Sequence, residues 1–131
     1  MSALRAGDVI PPLPVVAGLP EMKVFSVIMA DPNPIHFDPA HTAALGMGDK
    51  PVNQGTLSMA YPLNALLAVI GDPGRIRRFQ CRFLGSVVAD DELVAGGTVT
   101  GVDDGVATVE LWLDNADGRR VLAGTALVAA E

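Results

Sequence analysis

The chain has 131 residues, half of them hydrophobic but only 5% aromatic, which suits one domain spanning residues 1–131 with a core of aliphatic and alanine side chains rather than a disordered chain. Its 15 acidic residues against nine basic ones, a net charge of -6, argue against a nucleic-acid binder, which needs a basic face to neutralise phosphates. No apolar run reaches the roughly 18 residues of a membrane span, and the single Cys81 excludes an internal disulfide.

The opening stretch from Met1 to Pro14 carries Arg5, Asp8 and several prolines. It lacks the continuous apolar segment of a signal peptide, so the cytoplasm is the expected compartment. The first 20 residues read as irregular apart from a short strand at Leu13–Gly18, which Pro11, Pro12 and Pro14 confine to a sheet edge. Pro20 suits a first helical position. In Glu21–Ala30, Met22, Phe25, Ile28 and Met29 recur at helical spacing. Pro32 and Pro34 stop this helix, so the chain must bend through ADPNPIHFDP, Ala30 to Pro39. Asp38 caps a second short helix with Pro39 at its first position, and Gly46 ends it.

After a loop, Thr56–Ile70 is apolar nearly all round and reads as a buried helix. Gly55 leads it, Pro62 should bend it, and Gly71-Asp72-Pro73-Gly74 ends it. The texture then changes to period two. Phe79, Cys81 and Phe83 alternate with Gln80 and Arg82 in a first strand of this half. Glu92–Val102 is a second, Asp103-Asp104-Gly105 a hairpin turn, Val106–Asp114 a third and Arg119–Ala130 a fourth. Helices segregated from strands argue for an α+β fold, an antiparallel sheet of four or five strands wrapped around one apolar helix.

Asp31 and His36 are five residues apart at the bend. A straight strand would send them to opposite faces, whereas a turn can bring them together. A carboxylate and an imidazole converging on one water can remove a proton and orient the molecule, general acid–base chemistry worth roughly 10²–10⁴-fold per group. The same residues also admit a structural reading, with Asp31 accepting local backbone bonds and His36 packing half-buried. In either case the amide of Asn33 fixes the bend. A zinc site normally needs three or four ligands; the only other histidine is His41, read as surface, and no cysteine is near.

Gly55 permits close approach to the backbone. The first amides of the helix it leads lack intrahelical acceptors and carry partial positive charge, so they can polarise a carbonyl. Gly55 equally suits a plain helix boundary. Tyr61 and Asn64 read as hydrogen-bonded packing residues of the buried helix. Arg75, Arg77, Arg78 and Arg82, with Lys50, concentrate the positive charge. They form either a solvated strand face or the seat of an anionic small ligand.

Asp31-Pro32-Asn33-Pro34-Ile35-His36, set between a short helix and a glycine-led long one, resembles the Asp-x-Asn-Pro-x-His signature of the MaoC-like family. That family contains (R)-specific enoyl-CoA hydratases and 3-hydroxyacyl dehydratases with the hot-dog fold, and the likeness runs from about Phe25 to the C-terminal strands. The resemblance implies that Asp31 and His36 are a catalytic pair activating water in fatty-acid or steroid side-chain metabolism. It implies that Asn33 shapes the substrate loop and that the Gly55 amide binds the thioester carbonyl oxygen. The substrate would be an acyl thioester of coenzyme A or a carrier protein, with coenzyme A phosphates meeting Arg75, Arg77, Arg78 or Lys50. No metal or redox cofactor is implied. The expected assembly is a homodimer or, since some relatives divide their tasks between two chains, a heterodimer with a related chain. Two departures concern the pocket: Met29-Ala30 stand where the family has a small residue and glycine, and Gln54 stands where it commonly has histidine. The competing readings are a non-catalytic subunit that needs a partner and a hot-dog thioesterase.

Overall fold

The period-two texture after Gly74 becomes four strands, β2 (Ile76–Phe83), β3 (Glu92–Asp103), β4 (Val106–Asn115) and β5 (Arg120–Ala129). With β1 (Val9–Val16) they form one antiparallel sheet in the order β1-β3-β4-β5-β2. The computed structural model describes residues 3–131; Met1 and Ser2 of the expected domain lie outside the described residues. The β3–β4 connection is the two-residue turn Asp104–Gly105, with φ of 50° and 76°. Positive φ at both positions matches the turn's twist to that of its strands. Along β4, Ala107, Val109, Leu111 and Leu113 alternate inward and are buried, and helix α3 (Gly55–Ile70) lies across this face against β1, β3 and β4. The sheet wrapped on one helix is the hot-dog arrangement expected from the sequence.

Several local expectations need correction. β1 starts at Val9 rather than Leu13, because the register shift between Ile10 and Leu13 absorbs Pro11 and Pro12, and an edge strand needs ladder bonds on one side only. Helix α3 begins at Gly55 and continues through the fully buried Pro62. It is not buried all round: Gly55, Thr56, Asn64 and Ala68 are exposed, so Asn64 is a surface residue and not a packing one. Helix α1 (Leu19–Ile28) buries only Met22 and Ser26. Of the residues at helical spacing there, Ile28 and Met29 are 71% and 50% exposed, and Val24 and Val27 stand in solvent beside them at 58% and 81%.

Arg75 departs furthest from expectation. It is 9% exposed, and its guanidinium donates to Ile70 O at 3.2 Å, Ala129 O at 3.0 Å and Ala130 O at 2.8 Å. The carbonyl-rich end of α3 meets the end of β5 here, and a planar fork of donors satisfies both. Arg75 is therefore a structural tie and not a seat for a phosphate. Among the described residues no helix is long and apolar enough to cross a membrane.

Candidate active site

The bend after α1 is built by main-chain geometry. The Ala30 amide donates to Val27 O at 3.1 Å and the Asp31 amide to Ser26 O at 2.8 Å, the paired bonds of a helix end whose next residue turns left-handed. That residue is Ala30, with φ of 50°, a conformation that glycine adopts without strain and alanine does not. Asp31 Oδ1 then accepts the Asn33 amide at 3.1 Å, and Asn33 Oδ1 accepts the Ile35 amide at 3.2 Å. The second bond caps the 3₁₀ turn Pro34–His36. Helix α2 (Pro39–Ala44) follows, capped by Asp38, whose carboxylate accepts the Ala40 amide at 3.0 Å.

This winding brings Asp31 and His36 together, with His36 Nε2 3.3 Å from Asp31 Oδ2. His36 Nδ1 lies 2.8 Å from Val52 O. A carbonyl only accepts, so Nδ1 carries the proton, and a neutral ring turns the Nε2 lone pair toward the carboxylate. Two acceptors at that distance need either a shared proton or a water that donates to both. Asp31 thus makes the local backbone bond of the structural reading with one oxygen and offers the other to His36. The histidine side chain is 12% exposed and the aspartate side chain 38%, so solvent reaches the pair from the aspartate side. Asn33 is exposed, with its amide oxygen committed to the loop.

The facing wall is the segment before α3. Val52 donates to Ile35 O at 2.7 Å and Asn53 to Val87 O at 2.7 Å, which anchors the carbonyl that orients His36. Asn53 Nδ2 donates to Ser58 Oγ at 2.8 Å, and the Tyr61 hydroxyl donates to Asn53 Oδ1 at 3.4 Å. Burial pushes the Tyr61 phenol above its usual pKa and outweighs the lowering by Asn53; Glu21 adds a small upward push. No side chain caps α3. Among the described residues the amides of Gly55, Thr56 and Leu57 meet no acceptor, so the positive end of the helix is free to receive one.

A Cβ on Gly55 would lie 3.3 Å from Cζ of Phe83, so the glycine keeps a gap between the helix head and this ring, which is 54% exposed. The sequence marked Phe83 only as a strand residue. Its approach to Gly55 joins positions far apart in the chain and leaves no local trace. Gln54, met in the sequence only as a departure from the family, is buried and donates to Met22 O and Ser26 Oγ. Beside Asp31 opens an apolar groove of about 480 Å³ walled by Ser26, Val27, Ala30, Pro32 and Phe37, with Lys23 at its rim. Arg77, Arg78, Arg82 and Lys50 are exposed. Among the described residues no group of three or more His, Cys, Asp or Glu could hold a metal.

Three solved structures show the same fold. The (R)-hydratase from A. caviae involved in PHA biosynthesis has 24% identity and a TM-score of 0.89, covering 100% of both chains. R-hydratase PhaJ1 from Pseudomonas aeruginosa has 23% identity and a TM-score of 0.87, over 97% of this chain and 82% of that one. The ChsH1–ChsH2 complex from Mycobacterium tuberculosis has 20% identity and a TM-score of 0.85, over 96% of this chain and 98% of that one. No curated protein matches the chain. Residues 11–116, which carry the bend, α3 and the sheet up to the end of β4, match the family model described as MaoC like domain, and the chain therefore belongs to the MaoC-like dehydratase family.

Proposed function

We propose that the protein catalyses reversible addition of water to a trans-2-enoyl thioester, giving an (R)-3-hydroxyacyl thioester. The observation that carries this reading is the approach of His36 Nε2 to Asp31 Oδ2, 3.3 Å apart. Each is held in place because the other heteroatom of its side chain is bonded to main chain, Nδ1 to Val52 O and Oδ1 to the Asn33 amide. A water donating to both is oriented, and its oxygen lone pair is left free to attack. The free amide of Gly55 receives the thioester oxygen and draws electron density from the double bond, so that C3 becomes electrophilic. Water oxygen bonds to C3, one of the pair takes its proton, and a proton passes from the site to C2. The sum is one water added across the alkene, and the reverse sequence dehydrates. The addition is redox-neutral and is served by acid–base groups and an amide that receives the thioester oxygen, so the reaction calls for no metal or redox group.

Coenzyme A serves as carrier in this reading. Arg77, Arg78 and Lys50 are exposed cations able to meet its phosphates. The groove beside Asp31, apolar apart from its rim, suits an aliphatic segment of the substrate.

A second chain completes the molecule. β1 carries Pro11, Pro12 and Pro14 at one edge of the sheet, whereas β2 at the other edge has no proline, so β2 is the edge that offers an added strand a full set of backbone donors. Phe83 and Leu84, at the end of β2 nearest Gly55, are 54% and 56% exposed. A homodimer through this edge would cover them and border the site. The likeness to the ChsH1–ChsH2 complex supports a second reading, in which the partner is a related hot-dog chain and this one is inactive alone.

The test is a panel of enoyl-CoAs of increasing acyl size, with loss of enoyl absorbance and the stereochemistry of the hydroxy product as readouts. Hydration by the purified chain, abolished by Asp31→Asn and by His36→Ala, is expected. Activity only after co-expression with a related chain would establish the second reading. Release of free thiol without hydration would mean a thioesterase and defeat both.

A further inference from the structure

The two walls of the proposed site are joined through one side chain. Gln54 is 3% exposed, and its Nε2 donates to Met22 O and Ser26 Oγ, each at 2.8 Å. Ser26 O accepts the Asp31 amide at 2.8 Å. On the other side Gln54 is covalently joined to Gly55, and its carbonyl accepts the Ser58 amide at 2.9 Å. Asp31 and the head of α3 are therefore connected through Ser26 and Gln54. Among the described residues no other hydrogen bond ties α1 to residues 52–55.

The bonding of Gln54 is one-sided. Its Oε1 is buried and has no partner, a cost that a folded core normally avoids. Met22 O lies inside α1, where the helix already supplies a donor. An apolar side chain of equal length would avoid that cost but would give up both Nε2 bonds. The two Nε2 bonds are what the residue contributes, and they act on the spacing of the site.

We infer that Gln54 is a positioning residue, setting Asp31 against the Gly55 amide by clamping the last turn of α1 to the head of α3. The existence of the clamp is independent of the hydration reading; its consequence for catalysis rests on that reading.

The experiment compares Gln54→Met, which keeps length and removes both donors, with Gln54→His, which restores one. In the full chain, amide hydrogen exchange at Asp31 and Ser58 should speed up at least about tenfold in Gln54→Met, while Leu111 in the sheet is unchanged. With the best enoyl-CoA of the panel, kcat should fall about tenfold or more while KM stays within about threefold, because displaced reacting groups lose rate before binding. Gln54→His should lie between Gln54→Met and wild type. Unchanged exchange at Asp31 and Ser58, or kcat of Gln54→Met within about twofold of wild type, overturns the inference. A wild-type protein inert toward every enoyl-CoA, both alone and co-expressed with a related chain, defeats the hydration reading and not the clamp, which then stands or falls by the exchange rates.

Discussion

Strand β4 and helix α1 are both apolar elements of ten residues, yet they are held to the fold by different forces. β4 pairs with β3 and β5 along both edges and buries Ala107, Val109, Leu111 and Leu113 beneath α3. Its attachment is area removed from water, roughly 25 cal/mol per Å², summed over many atoms. α1 buries Met22 and Ser26 and leaves Val24, Val27 and Ile28 in solvent. Its attachment is a handful of directional bonds, from Gln54 to Met22 and Ser26 and, through the loop that follows, between Val52 and both Ile35 and His36. The proposed chemistry sits on the second kind of element. Stability and activity are therefore separable in this molecule, and the uncovered face of α1 is apolar surface that a second chain can bury.

The largest effects should be on turnover. Asp31→Asn and His36→Ala should each lower kcat for enoyl-CoA hydration by about 10²–10⁴-fold while the chain stays folded. The double variant should be no worse than the weaker single one, because the two act on one water. Full activity in either single variant would break the assignment of the pair. Next comes the sheet: Leu111→Ala should cost about 3 kcal/mol of folding stability, whereas Val27→Ala on α1 should stay within about 0.5 kcal/mol. Similar urea midpoints for these two would erase the contrast between β4 and α1.

The arginines sharpen the same division. Arg75→Ala should lower stability by about 1–3 kcal/mol, since buried carbonyls lose their donor. Arg77→Ala and Arg78→Ala should leave stability alone and raise KM for a coenzyme A thioester, by less at high salt. A KM effect confined to Arg75→Ala would reverse these roles. Ala30→Gly should raise stability by about 1 kcal/mol, because φ of 50° strains alanine and not glycine. A lower midpoint would show that the left-handed turn is not strained. The smallest effect concerns Tyr61. Its phenol is held above the usual value in the fold, so the unfolded chain loses that proton first as pH rises past about 10. Stability should then fall with rising pH in that range, and Tyr61→Phe should flatten the decline in a pH series of urea titrations.

Much of this molecule was legible in one dimension. Asp38-Pro39 and Asp103-Asp104-Gly105 carry their own conformational demands and fold as those demands dictate. The alternation in β4 names the inward face correctly. The spacing of Asp31, Asn33 and His36 works because the bonds that wind the loop span two residues each. Composition misled where burial had to be guessed. The nearly unbroken apolar run of α3 suggested burial all round, yet Gly55, Thr56, Asn64 and Ala68 leave a face of it open.

The turn chemistry, the strand periodicity and the aspartate–histidine spacing follow from the residues alone, because each depends on neighbours within a few positions. Arg75 reaching Ala129 across 54 residues, Gln54 reaching Met22 across 32, and Phe83 lying over Gly55 had to wait for the packed chain. A side chain's partner at such separations is set by how sheet and helix pack in space, and no period or local preference along the chain encodes it.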